Sequence, residues 1–278
     1  MNSDDLSLCI CGGGMKGGYI IGAMKYLEDK GKMNKFTSYV GTSIGGILLM
    51  LYIIGYNVYE IEEFFYTFNF SDVKIDLNID KLISAYGCDD MRKILYVYEE
   101  LFKYKNLSIK MTFEEIHNKT QKHLKMTTAN LNECKLEIMD YINTPELTLE
   151  TAIRRSTALP LIFEPYKSNN NIYYVDGGLM DLFPYEHCNK NMIGIIFDYK
   201  PPKIDGICSY IYAILYTGVY NKLNDIMKSE EIMRKCIIIP DEISNISQIN
   251  FEITNNDKIN MVKHGYECAN RYYMLDNE

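Results

Sequence analysis

The chain lacks tryptophan altogether and has only four histidines among its 278 residues. Its eight cysteines are scattered, with no C-x-x-C pair and no metal-ligand spacing, so no metal site is expected. Basic residues are the minority, 29 against 37 acidic, for a net charge of −8. That balance argues against nucleic acid as a partner, which needs clustered Lys and Arg, and gives no overall attraction to anionic membranes. No apolar run reaches the roughly 20 residues of a membrane span. The longest, Ile44 to Tyr56, reads as a core helix. The first residues, MNSDDLSLC, are acidic and polar, unlike a secretory signal. These absences imply a cytoplasmic protein with reduced, mostly buried cysteines. Repeats, low-complexity tracts and long linkers are also missing. The wealth of Ile, Asn, Lys and Tyr suits an AT-rich coding genome.

What is present is ordinary globular composition, 47% hydrophobic and 24% charged. Leu6 to Cys11 is an apolar run entering a glycine turn, a buried strand by its pattern. Ile20, Ile21, Met24 and Leu27 then share one helical face over 17–30, closed by Gly31. Phe36 to Val40 is a second strand, and a helix runs from Ile44 to Ile54. Strand, loop, helix, strand, turn, helix predicts a parallel α/β sheet. Further on, 57–105 reads as a helical insertion, Thr112 and Glu115 cap a helix over 113–121, and 124–142 reads as a hairpin turning near Asn130 to Glu133. Thr148 to Thr157 is a helix stopped by Pro160. Strands are expected at 172–178, 192–199 and 236–240, a long helix at about 209–234, and a last helix at about 257–275. The expected fold class is α/β: a single domain over 6–278 with a mostly parallel central sheet flanked by helices. Its core motifs lie in 6–200 and its C-terminal strand and helices in 201–275.

Three motifs carry chemistry. Gly12-Gly13-Gly14-Met15-Lys16-Gly17 matches the dinucleotide fingerprint between a strand and a helix. The acidic residue that fold wants at the end of the second strand is absent, because that strand ends in Gly41-Thr42-Ser43. A Walker loop fails too, since no Lys-Ser or Lys-Thr follows. The remaining use of such a loop is to aim backbone amides at developing negative charge, an oxyanion hole at a helix N-terminus. Second, Gly41-Thr42-Ser43-Ile44-Gly45 fits G-x-S-x-G, the strand-to-helix bend that lifts a serine above a sheet. Third, Asp176 ends a strand before Gly177-Gly178, which places it at the functional edge of a parallel sheet or in a plain Asp-Gly turn. The order Ser…Asp…His leaves a triad with His187 or His264 open, although neither follows a strand end. His117 and His123 lie in a lysine-rich stretch and read as solvent-facing.

In combination, order and spacing, these motifs resemble the patatin-like phospholipases. AIRRSTALPLIFEPY at 152–166 and KINMVKHGYECANRYY near the C-terminus are similar to that family as well, so the resemblance runs from Leu6 to Tyr273. It implies hydrolysis of lipid acyl esters, of phospholipid or another acyl-lipid, by a Ser–Asp dyad with no histidine and no cofactor. It assigns Ser43 as nucleophile, Asp176 as base, and the amides of Gly13, Gly14 and Met15 as oxyanion donors. The family often has Asn after its Asp-Gly-Gly; here LMDLF at 179–183 offers Asp181 instead. A carboxylate base needs a desolvated site to raise its pKa. Phe64, Phe65, Phe68 and Phe70 are candidates for a lid or a peripheral membrane patch, or for core. The rival readings are a triad esterase and a catalytically silent lipid- or partner-binding protein of the same fold.

Overall fold

Apolar runs and caps set most element boundaries. The computed structural model describes residues 5–73, 78–200, 203–240 and 252–275. The first four residues and parts of the 57–105 and 201–275 stretches lie outside the described residues. In chain order the elements begin with β1 (Leu6–Ile10), α1 (Gly17–Asp29), β2 (Phe36–Gly41) and α2 (Ile44–Ile53). Next come α3 (Val58–Thr67), α4 (Ile79–Ala85), β3 (Gly87–Asp89), α5 (Arg92–Tyr104) and α6 (Phe113–Thr120). The hairpin β4 (His123–Asn130) and β5 (Lys135–Met139) precedes α7 (Leu149–Thr157), β6 (Leu161–Phe163), β7 (Tyr166–Lys167) and β8 (Tyr173–Asp176). The chain continues through β9 (Asn191–Asp198), α8 (Ile207–Lys228), α9 (Glu230–Met233), β10 (Cys236–Pro240) and α10 (Asn255–Leu275).

Local signals explain many of these. Thr112 and Glu115 form a reciprocal capping box at α6, and Asn57 and Glu60 form another at α3. Gly31, at φ 62°, follows α1 in the left-handed conformation that favours glycine. Helix α2 is buried from Gly45 to Ile53, as a helix apolar on all sides must be. Helices α1 and α10 approach closely enough that a Cβ on Gly22 would stand 2.0 Å from the Val262 carbonyl oxygen.

The main sheet has the order β10-β9-β1-β2-β4-β8-β7, with β5 on the other edge of β4. Strands β10, β9, β1, β2 and β4 run parallel. Strands β5 and β8 are antiparallel to β4, and β7 is antiparallel to β8. The sheet is therefore mixed, with a parallel centre flanked by helices, in a single α/β domain. Buried Leu8, Ile10, Ile195, Phe197 and Ile237 fill its parallel half, with Ile20, Leu27, Leu49 and Phe113 from the helices. The burial of those strands fits a parallel sheet covered on both faces.

Three expectations change. The helix expected at 209–234 breaks at Ser229, whose extended backbone separates α8 from α9 without Gly or Pro. The stretch 57–105 is not wholly helical: β3 pairs in parallel with β6. His117 and His123 do not face solvent freely. His117 stacks on Tyr141 at 3.6 Å, and His123 Nε2 lies 2.9 Å from the buried carboxylate of Asp140.

Candidate active site

Ser43 occupies the bend between β2 and α2, with φ 54° and ψ −128°. A non-glycine residue in that region costs about 1–3 kcal/mol, which the surrounding contacts must over-determine. The flanking glycines show why the bend is so sharp. A Cβ on Gly41 would stand 2.5 Å from the Gly46 nitrogen, and one on Gly45 would stand 2.5 Å from the Cys11 carbonyl oxygen. No side chain fits at either place, so the helix start lies directly against β1. Thr42 is buried; its Oγ1 donates to the Asp181 carbonyl at 3.0 Å and accepts from Thr127 Oγ1 at 2.8 Å. Ile44 opens α2, and the Ser43 amide donates to Ser156 Oγ at 3.3 Å.

Strand pairing brings Asp176 to this serine. On one edge of β4, β2 pairs as far as Gly41 with Met126. On the same edge β8 arrives from the opposite direction and ends with Asp176 opposite Thr128. It must be the same edge, because β5 occupies the other one along Met126 to Asn130. The C-terminal ends of β2 and β8 thus face each other along β4. Asp176 does not stand at the end of a parallel strand, as the sequence suggested; an antiparallel strand delivers it head-on. Ser43 Oγ donates to Asp176 Oδ2 at 2.5 Å, and the Gly178 amide donates to Oδ1 at 2.7 Å.

The pair is enclosed, Ser43 being 7% and Asp176 1% exposed. Burial pushes the Asp176 carboxyl up to about 6, although its bonds from Ser43 and the Gly178 amide pull the other way. Two cavities of about 660 Å³ lie elsewhere, one between α3 and α5 and one around Lys125, Asp140 and His187. Neither is lined by Ser43 or Asp176.

The glycine loop lies against the serine: an atom added at Gly12 Cα would stand 3.6 Å from Ser43 Cβ. The Gly12 amide donates to the Leu182 carbonyl at 2.9 Å, and the Lys16 amide to the Gly13 carbonyl at 3.1 Å. The amides of Gly13, Gly14 and Met15 have no backbone acceptor among the described residues. The Gly12 carbonyl accepts from the Tyr199 hydroxyl. In a trans peptide that carbonyl and the Gly13 N–H point opposite ways, so the tyrosine fixes where the N–H aims. Lys16 is buried, its ammonium 5.8 Å from the Phe197 ring centroid, and Gly17 opens α1.

Neither open histidine joins the pair. His264 sits on α10 with Nδ1 buried and unbonded. His187 lies by Lys125, which donates to its carbonyl at 2.8 Å, and burial lowers its pKa. Asp181 is buried, accepts from the Phe183 amide at 3.0 Å, and pairs with Lys222 of α8 at 2.6 Å. Among the phenylalanines, Phe65 is core, packed on Gly18, while Phe64 and Phe68 stack on each other half-buried. Sequence reasoning missed Ser156, Tyr199, and the α8 tyrosines. Tyr212, Tyr216 and Tyr220 recur every four residues, a helical-face signal. Burial raises Tyr212 and Tyr216, and the Asp176 charge adds to it.

Comparison with known proteins places the chain among relatives. A probable lipid hydrolase, 463L of Invertebrate iridescent virus 6, is 36% identical over 199 residues, 66% of this chain and 65% of that protein. The uncharacterized protein R571 of Acanthamoeba polyphaga mimivirus is 26% identical over 206 residues, 72% of this chain and 68% of that protein. The chain thus spans about two thirds of the length of these relatives. VipD from Legionella pneumophila superposes with a TM-score of 0.63 at 15% identity, covering 99% of this chain and 67% of VipD. ExoU of the Pseudomonas aeruginosa type III secretion system, solved with SpcU, gives 0.55 at 16% identity, covering 98% and 52%. At such identities these two speak for the fold alone. The family model described as patatin-like phospholipase matches residues 8–188, a span that contains the glycine loop, Ser43 and Asp176, and on that match the chain belongs to the patatin-like phospholipases.

Proposed function

We propose that the protein is a lipid acyl hydrolase that cleaves fatty-acyl esters through an acyl-enzyme on Ser43, with Asp176 as the base. The observation that carries this reading is the 2.5 Å bond from Ser43 Oγ to a buried carboxylate whose pKa is raised to about 6. A carboxylate of ordinary acidity is a poor base for a hydroxyl, and desolvation strengthens it. As Oγ attacks the ester carbonyl, Asp176 Oδ2 takes its proton. The amides of Gly13, Gly14 and Met15 receive the oxyanion, each donor being worth about 10²–10³ in rate in comparable sites. The tetrahedral intermediate collapses, and Asp176 returns the proton to the departing alcohol. Water, deprotonated by Asp176, then attacks the acyl-Ser43 ester; the fatty acid leaves and the serine is restored.

The test is turnover of a short-chain p-nitrophenyl ester together with fluorophosphonate labelling. Ser43→Ala abolishes both, and Asp176→Asn abolishes turnover in a folded protein. His187→Ala and His264→Ala leave turnover within about twofold. Loss on either histidine change would replace the dyad with a triad, and a folded protein that neither turns over nor labels would make it a silent binder.

A further inference from the structure

The outward side of α8 changes character halfway along. Ile207, Tyr210 and Ile214, at helical spacings of three and four, are 69%, 50% and 58% exposed, and Ile204 just before the helix is 60% exposed. Further along the same side stand Thr217, Asn221, Asp225 and Lys228, all exposed and all polar. From Ile207 to Tyr220 the helix has no charged residue. Its inward side is built into the site. Tyr216, Val219, Leu223 and Ile226 are buried, and the helix lies on the Gly177–Leu179 turn that follows Asp176. Lys222 ties it to Asp181, and Tyr216, Tyr220 and Tyr199 form a chain of tilted and edge-on ring contacts that ends on the Gly12 carbonyl.

We infer that the first half of α8, with Ile204, is the surface by which this protein docks on a lipid bilayer, seating the apolar row of Ile207, Tyr210 and Ile214 among the acyl chains beside the buried dyad. The inference rests on the hydrolase reading for its choice of occupant: acyl chains are the apolar phase that such a substrate brings. The half-apolar, half-polar outward side fits a helix end that dips into an interface. Charge decides the kind of bilayer. The charged residues that precede the row in the described sequence, Lys203 and Asp205, offset each other, on a chain of net charge −8. Docking is therefore driven by apolar burial, needs no anionic lipid and tolerates salt.

The experiment measures docking on Ser43→Ala protein, so that it is independent of turnover, by co-flotation with phosphatidylcholine vesicles in 0.1 M and 0.5 M NaCl. Wild-type turnover of the soluble ester reports the hydrolase reading separately. The Ser43→Ala protein floats equally at both salt concentrations. Adding Ile207→Asn with Ile214→Asn cuts flotation at least tenfold at an unchanged melting temperature, and Tyr210→Ser alone cuts it severalfold. Ile79→Asn with Ile83→Asn, on the equally exposed face of α4 (70% and 73%), changes it less than twofold. The inference is overturned if the parent fails to float, if only the α4 pair reduces flotation, or if high salt abolishes it. It is also overturned if the protein is a dimer in solution that the Ile207/Ile214 pair dissociates, which would make the row a contact between two copies.

Discussion

Replacing Asp176 by Asn removes the proposed base, yet above neutral pH it should make the protein more stable. In the fold the carboxyl is raised from 3.8 to about 6 by burial. A group raised in this way contributes stability that is fully present below about pH 4 and is lost as pH rises through 6. At pH 8 the wild type therefore carries the cost of an ionised buried carboxylate, about 3 kcal/mol for a shift of about two units. Asn keeps the geometry: its carbonyl accepts from the Gly178 amide, and its amide donates to Ser43 Oγ. Relief of up to about 3 kcal/mol corresponds to a rise in melting temperature of about 5 °C in a domain this size. The gain shrinks below pH 6 and vanishes near pH 4. The same ionisation governs the rate: log kcat/KM of the wild type falls with unit slope below about pH 6. Calorimetry of both proteins between pH 4 and 8, and a pH–rate profile on a soluble ester, read the two effects. A melting difference independent of pH, or a profile flat down to pH 5, would refute the account of Asp176 as a buried, poised base. So would an inflection near 6 that disappears in His187→Ala or His264→Ala.

Two further outcomes test the parts around the dyad. Tyr199→Phe frees the Gly12 carbonyl and with it the aim of the Gly13 N–H; kcat falls by about tenfold, short of the loss of a whole oxyanion donor, with KM nearly unchanged, measured by steady-state kinetics. A purely structural role for Tyr199 would lower the melting temperature instead and leave kcat intact. Gly45→Ala drives a methyl into the Ile10 and Cys11 carbonyls at 2.6 and 2.5 Å, so it destabilises the fold by more than about 2 kcal/mol in denaturant titration, whereas Gly206→Ala, with open space around it, changes little.

What could be read in the sequence was local. The glycine loop after β1, the Gly41–Gly45 bend, the capping box of Thr112 and Glu115 and the β4–β5 hairpin each announce themselves within a few residues. What could not be read depends on pairing across the fold. Nothing near Asp176 tells that its strand runs antiparallel to β4, because that is settled by the match of Thr128, Ala129 and Asn130 with Asp176, Val175 and Tyr174. Strands β3 and β6 span three residues each, too short for a period to show. Lysines around His123 suggested solvent, but Asp140, brought in by the hairpin, holds that ring. The row of Phe64 to Phe70 drew attention to 57–105 as the apolar surface. The structure buries Phe65, but the same stretch exposes Ile79, Ile83, Tyr86, Tyr96 and Tyr104, and α8 carries a second exposed row, which its overall composition hides because its inward side is equally apolar.

The proposed dyad and α8 are linked by one physical requirement. A serine–aspartate pair without histidine works only if the carboxylate is taken out of water, since its ordinary acidity leaves it a weak base. Burial at 1% exposure supplies this, and α8 lies on the turn that follows the carboxylate. Ser43 is 7% exposed, and neither of the two cavities of about 660 Å³ reaches it. A triad enzyme escapes the conflict, because imidazole titrates near neutrality while still partly wet. Under the hydrolase reading access and basicity oppose each other, so a helix that lies on the turn after Asp176 must both keep water out and leave a way in. A helix held to the site by Lys222–Asp181 and a tyrosine chain, with its free end apolar, meets that requirement.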